Sequence, residues 1–202
     1  MAATALKLVI VQGDTFTMQI RWEALPYVYT AITAIAKGAP CIITAPLHGL
    51  VTGWRAAVRS VLGMTDINTV NTPPRDTDFH QITVIDTNTI SLNDVDSSLF
   101  GTYVSGGYLQ SFTPVVLTGF SARMEIKDRI GGTILASLTS GTPDFSFTLD
   151  NTNHLITLTI PATITAAYTF TKGVYDLELV SPGGVVTKLY SGQVVLTQEV
   201  TT

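Results

Sequence analysis

Alternation of apolar and polar residues with a period of two runs through this chain and constrains its fold more than any other feature. Successive side chains of an extended strand point to opposite faces, so such a run buries one clean face only as a β-strand. From Thr15 to Glu23, Phe16, Met18, Ile20 and Trp22 share one face, and Thr15, Thr17, Gln19, Arg21 and Glu23 share the other. The pattern returns from Phe120 to Lys127, with Phe120, Ala122, Met124 and Ile126 set against Ser121, Arg123, Glu125 and Lys127. Phe145, Phe147 and Leu149 alternate with Ser146, Thr148 and Asp150, and Ile156, Leu158 and Ile160 with Thr157 and Thr159. Tyr175, Leu177 and Leu179 alternate with Asp176 and Glu178, and further strands are predicted over Val185–Tyr190 and Gln193–Val200. Asp150-Asn151-Thr152-Asn153 and Ser181-Pro182-Gly183-Gly184 separate pairs of runs with the residues that tight turns require. Pro161–Phe170 breaks the pattern and predicts a short helix, with Pro at its start.

These runs fall into two blocks, which together predict an all-β fold: a small antiparallel sandwich made from residues 1–26 and 113–202. The stretch between them, residues 27–112, has its own turns (Lys37-Gly38-Ala39-Pro40, Asn71-Thr72-Pro73-Pro74, Ser105-Gly106-Gly107). It also has its own strand-like runs, Cys41–Thr44, Ala57–Leu62 and Ile82–Leu92. A structureless connection of that length is implausible in a compact domain, so a second small β domain inserted into the first is expected.

Only 13% of the 202 residues are charged, against about 25% in a typical chain. A surface of hydroxyls instead of charges lacks one common defence against association, so covering by neighbouring subunits is expected. The eleven Lys and Arg residues form no run and the formal charge is −4, so the basic patch of a nucleic-acid binder is missing. No stretch of 18 or more apolar residues occurs and no signal-peptide pattern opens the chain, so no membrane span is expected and folding in a cytoplasm is. The one cysteine, Cys41, cannot form an intrachain disulfide; it sits in an apolar run, where an inert buried thiol is expected.

No catalytic, cofactor-binding or metal-binding residues are assigned. His48, His80 and His154 lie far apart, and Asn93, Asp94 and Asp96 lack the glycine and terminal glutamate of a calcium loop. Asp176 and Glu178 share one strand face, which suits a solvated or interfacial surface better than a paired-carboxylate cleft. Gly106-Gly107 and Gly183-Gly184 match no phosphate-cradling motif, and no G-x-S-x-G elbow occurs. Trp22, Trp54 and the scattered tyrosines are expected in the core.

Gly13-Asp14-Thr15-Phe16, then Val116-Leu117-Thr118-Gly119-Phe120-Ser121-Ala122-Arg123-Met124, then Gly173-Val174-Tyr175-Asp176-Leu177-Glu178-Leu179 resemble, in this order, the N-terminal domain family of phage baseplate upper proteins. The resemblance covers about half the chain and implies an immunoglobulin-like sandwich that docks fibres or receptor-binding proteins to a tail tip. Val61-Leu62-Gly63-Met64-Thr65-Asp66-Ile67-Asn68, Ile82–Leu92 and Tyr103-Val104-Ser105-Gly106-Gly107-Tyr108 resemble the first catalytic cysteine half-domain of ubiquitin-activating enzymes. That likeness implies a small β barrel and no thioester chemistry, since the half-domain carries no catalytic cysteine and the adenylation domains have no counterpart here.

The expected function is therefore that of a non-enzymatic structural protein of a tailed-phage virion, in its tail, baseplate or collar, assembled in the bacterial host cytoplasm. Its expected partners are other virion proteins, copies of itself and a fibre or receptor-binding protein, with no nucleic acid and no membrane insertion. Candidate contact segments are Met1–Ala5, Glu199–Thr202, Thr69–Phe79 and Asn93–Gly106. The alternatives are a capsid decoration protein, or a carbohydrate-binding host-attachment module, which would need exposed aromatics in a row.

Overall fold

The computed structural model describes residues 4–140 and 146–199. The chain forms two compact units, one from the segment up to Trp22 and the segment from Val115 onward, the other from Glu23–Pro114. Three strands precede the second unit: β1 (Thr4–Ala5), β2 (Leu8–Val11) and β3 (Phe16–Arg21). Within that unit lie β4 (Glu23–Ala31), β5 (Ala34–Ala36), β6 (Cys41–Thr44), β7 (Arg55–Leu62), β8 (His80–Asp86), β9 (Thr89–Leu92) and β10 (Ser105–Pro114). After it come β11 (Ser121–Lys127), β12 (Ile134–Thr139), β13 (Ser146–Asp150), β14 (Leu155–Ile160), α1 (Ala162–Ala166), β15 (Lys172–Val180) and β16 (Val186–Thr197). The protein is all-β, with hydrogen-bonded antiparallel ladders dominating both units.

In the outer unit, the predicted alternation becomes a two-sheet core. The larger sheet runs β16–β15–β11–β12, with β1 and β2 both alongside β16; the smaller is β13–β14–β3. Ile10, Met124, Ile126, Leu138, Leu177 and Val194 from the larger sheet share one buried cluster with Ile20, Phe147, Ile156, Leu158 and Ile160 from the smaller. Phe145 and Val200, expected at strand ends, lie outside the described residues. Two short strands depart from the antiparallel pattern: β1 and β2 pair with β16 in parallel, with Leu8 opposite Val194 and Val11 opposite Thr197. Strands so remote in sequence are joined by no hairpin, so nothing forces them antiparallel. The chain then crosses from β2 into β3 of the other sheet through Gln12-Gly13-Asp14, where Gly13 has φ +82°. This turn is fixed by α1: the Thr165 hydroxyl donates to Asp14 O at 2.7 Å, and the Gln12 amide donates to Ala166 O at 3.1 Å and Tyr168 O at 3.0 Å. Pro161 stands one position before the first helical residue.

The inserted unit is a sheet that closes on itself. Its strand path is β4–β10–β7–β8–β9–β6–β5, and only Ile32 and Thr33 separate the two ends of that path in sequence. Ile32 N–H donates to Gly107 O of β10 at 2.9 Å, and Thr33 N–H to Thr44 O of β6 at 2.9 Å. One bent segment thus belongs to both edges, and the closed form leaves the interior to be filled by side chains. Cys41, Ile43, Trp54, Ala56, Val58, Met64, Ile82, Ile90, Leu92 and Leu109 fill it. Ile82–Leu92, read from sequence as one run, is a hairpin: Asp86 Oδ1 accepts the Asn88 N–H at 2.8 Å and turns the chain. Ser105-Gly106-Gly107, read as a turn, opens β10, with Gly106 and Gly107 at φ +72° and +93°.

The Gly63–Asn68 motif is explained by packing. Met64 and Ile67 enter the barrel core, and the Asn68 side chain clamps Val61 from both sides, accepting its N–H at 2.8 Å and donating to its carbonyl at 3.0 Å. The division between units falls at Trp22/Glu23 and Pro114/Val115, a few residues outside the expected 26/27 and 112/113. The reason is that β4 and β10 stay paired down to Glu23 opposite Pro114, while Val115 N–H donates to Trp22 O at 3.0 Å in the outer unit.

Candidate interaction surfaces

Cys41 lies fully buried in the barrel core, and burial pushes its thiol pKa up, against a smaller opposing effect of the Ser97 hydroxyl. A neutral, enclosed thiol is a poor nucleophile. Cys41 is therefore expected to resist iodoacetamide at pH 8 in the native protein and to label fully in denaturant, as read by intact mass; rapid native labelling would show an activated thiol.

The histidines are not brought together. His48 is buried, with Nδ1 accepting the Leu50 N–H at 3.0 Å and Nε2 at 3.0 Å from Asp86 O, so the neutral ring holds its proton on Nε2. His80 Nδ1 meets the Asp94 carboxylate at 3.1 Å, and His154 Nδ1 meets Val115 O at 3.2 Å. Asp96 accepts the Ser98 N–H at 2.9 Å, and the Ser98 hydroxyl and N–H hold its carboxyl below the usual range. Among the described residues, no three His, Cys, Asp or Glu side chains are placed to hold a metal ion.

The outward face of β11, β15 and β16 is a checkerboard of charge. Arg123 pairs with Glu178 at 2.8 Å, Lys188 with Asp176 at 2.7 Å and Lys127 with Glu125 at 2.9 Å. The β11–β12 turn, with Ile130 and Gly131, flanks this face and helps to line an open groove of about 790 Å³. Asp176 and Glu178 are thus neutralised by cross-strand partners, which stabilise sheets by side-chain pairing.

Thr69–Phe79, expected as a polar contact loop, is largely tied down over its own barrel. Thr69 N–H donates to Val58 O at 2.8 Å, and Asp78 accepts the Arg75 N–H at 2.7 Å and the Asn71 amide at 2.9 Å. Those hydrogen bonds, the Arg75 N–H foremost, hold the Asp78 carboxyl below the usual range. Arg55 of β7 is the anchor. Its guanidinium pairs with Glu23 at 3.0 Å and Asp76 at 3.3 Å and sits 5.3 Å and 5.0 Å from the ring centres of Phe79 and Phe112. Tyr27 completes the aromatic cluster, 4.9 Å from Phe112. Replacing Arg55 by alanine removes the cation–π contacts and both ion pairs, and is expected to cost about 1–2 kcal/mol and open this loop to limited proteolysis. Unchanged protease resistance of the variant would contradict that anchoring role.

In Asn93–Gly106, Ser97 is buried and exchanges hydrogen bonds with Gly38, and Lys37 Nζ donates to Phe100 O. Large apolar side chains nevertheless stand out from turns: Leu47 is 78% exposed, Val70 90%, Leu99 98% and Ile130 92%. Met1–Ala3 and 200–202 of the terminal contact segments lie outside the described residues. The tyrosines were expected in the core, but Tyr29 and Tyr108 are half exposed on the outer face of the inserted sheet. Neither strand shows alternation: β10 buries Leu109, Gln110 and Ser111 in succession, and β4 buries none of its residues. A scan against protein-family models and a search of curated proteins find no match to the chain.

Proposed function

We propose that this chain is a structural component of a tailed-phage virion that attaches or bridges other virion proteins, a fibre among them, and occurs there in several copies. The observation that carries the reading is the low charge of the chain, 13% of its residues, which leaves few charges to oppose association; Leu47, Val70, Leu99 and Ile130 stand exposed on turns as single apolar contacts. Further support comes from the outer unit, where the segments that resemble those of baseplate upper proteins lead into β3 and β11 and run through β15. Side chains that could otherwise react are occupied structurally: Cys41 in the core, His48 by two backbone groups, Asp176 and Glu178 by cations. Stable attachment would bury about 1,200–2,000 Å² per contact, and a ring of copies would be the default arrangement. The test is mass spectrometry and cryo-electron microscopy of purified particles. The reading expects the protein in stoichiometric amounts at the tail, baseplate or collar; density on the capsid lattice would make it a decoration protein, and absence from the particle would refute it.

A further inference from the structure

We propose that the hollow bounded by Tyr29, Arg59, Ser60 and Tyr108 on the inserted unit binds a carboxylate-bearing sugar unit of an acidic glycan. This does not rest on the virion reading and stands or falls separately.

The hollow has a volume of about 270 Å³, on the scale of one sugar ring. Arg59 supplies the charge. It sits four residues along β7 from Arg55, on the same outward face, yet the two arginines differ. Arg55 is neutralised by Glu23 and Asp76, whereas Arg59 pairs with no carboxylate among the described residues. Its guanidinium donates only to neutral oxygens, Gln110 Oε1 at 3.2 Å and Thr72 Oγ1 at 3.1 Å. Those two bonds hold the fork in place and leave N–H donors for a carboxylate, the group whose geometry a guanidinium matches best.

Tyr29 and Tyr108 supply apolar rings beside that charge, at 55% and 47% exposure. Tyr29 is braced by an edge-on contact with Tyr27, with ring centres 6.5 Å apart. An aromatic face with a polar rim complements a ring that has an apolar face and hydroxyl edges. Two details mark the spot as built for more than packing. Ser60 holds φ +59° inside a strand, a conformation that L residues adopt only when their surroundings enforce it. Gln110, cross-strand from Tyr29 and two residues from Tyr108, is fully buried beneath the hollow, and its Nε2 has no hydrogen-bond partner among the described residues.

A peptide is a poorer fit. An extended peptide gains affinity by pairing with a free sheet edge, and β10 beneath the hollow is already paired with β4 on one side and β7 on the other. Recognition here falls to side chains, which suits a compact rigid ligand.

The test uses the full chain and methyl glucuronide, followed by isothermal titration and by chemical-shift changes of Arg59 and the two tyrosines. A single sugar unit should bind with a dissociation constant on the order of 1 mM, and an oligoglucuronate more tightly. Methyl glucoside, which lacks the carboxylate, should bind at least about tenfold more weakly. Tyr108→Ala, at an exposed position, should weaken binding about tenfold with the melting temperature unchanged; Arg59→Lys, which keeps the charge but not the fork, should weaken it about as much, with a lower melting temperature because the buried Gln110 Oε1 loses its donor. Equal binding of glucoside and glucuronide, undiminished binding by both variants, preference for an acidic peptide over the glucuronide, or no binding at 20-fold that ligand concentration would each overturn the proposal.

Discussion

Replacing Gly63 by alanine is expected to destabilise the inserted unit by about 3 kcal/mol, the sum of a backbone cost and an overpacking cost. Gly63 has φ +86°, and a Cβ there would stand 2.2 Å from Thr102 O, 2.5 Å from Val104 Cγ2 and 3.0 Å from Val104 N. Two of those three atoms are backbone, so no rotamer change relieves the contact. The opposing segment is equally committed: a Cβ on Gly101 would lie 2.4 Å from Gly63 O. Gly49 provides the control within the same unit, since its φ is +63° but nothing lies within 4 Å of its would-be Cβ. Gly49→Ala should therefore show the conformational cost alone, about 1 kcal/mol. The two tryptophans fall one in each unit, Trp22 outside and Trp54 inside, so a Trp22→Phe background makes denaturant unfolding report on the inserted unit. Equal effects of the two glycine substitutions would show that the close approach at Gly63 is not what the structure has it to be.

The second large effect belongs to the outer unit. Leu177 is fully buried on β15, between β11 and β16, and Leu177→Ala should cost about 3 kcal/mol, within the range for cavities left by buried leucines. Its neighbour Glu178 points to the other face and pairs with Arg123. Glu178→Gln should cost under about 1 kcal/mol, because exposed ion pairs contribute little. Urea unfolding monitored by Trp22 emission separates the two, and comparable losses would mean that the two faces of β15 are not buried and exposed as described.

That contrast between adjacent residues was legible in the sequence, and for a physical reason. Strands with one covered face, such as β3, β11, β14 and β15, write their orientation as alternation. Strands covered on both faces do not. β10 buries Leu109 inward and Gln110 outward, the latter under Arg59 and its neighbours, so its pattern gave no period and its start was read as a turn. β4 hides its period for the opposite reason: none of its residues is buried, Leu25, Val28 and Tyr29 are exposed, and Pro26 interrupts the run. Pairing between distant segments was also hidden: nothing local in Leu8–Val11 specifies a parallel match to Val194–Thr197. Thr69–Phe79 reads as a candidate contact segment because its anchor, Arg55, lies elsewhere in the chain. Cys41 was readable as inert from its apolar neighbours alone. The Tyr29, Arg59 and Tyr108 hollow was not readable at all, since three separate strands build it.

The account depends on two β units that each fold from their own residues. The most direct measurement excises Glu23–Pro114 and joins Trp22 to Val115 through an Asn-Gly turn, which suits ends already bridged by the 3.0 Å hydrogen bond from Val115 N–H to Trp22 O. The shortened chain should show a β-type circular dichroism spectrum and one cooperative unfolding transition seen by Trp22. An unfolded or aggregated product, with Glu23–Pro114 alone equally unable to fold, would contradict the division of the molecule into two self-sufficient units.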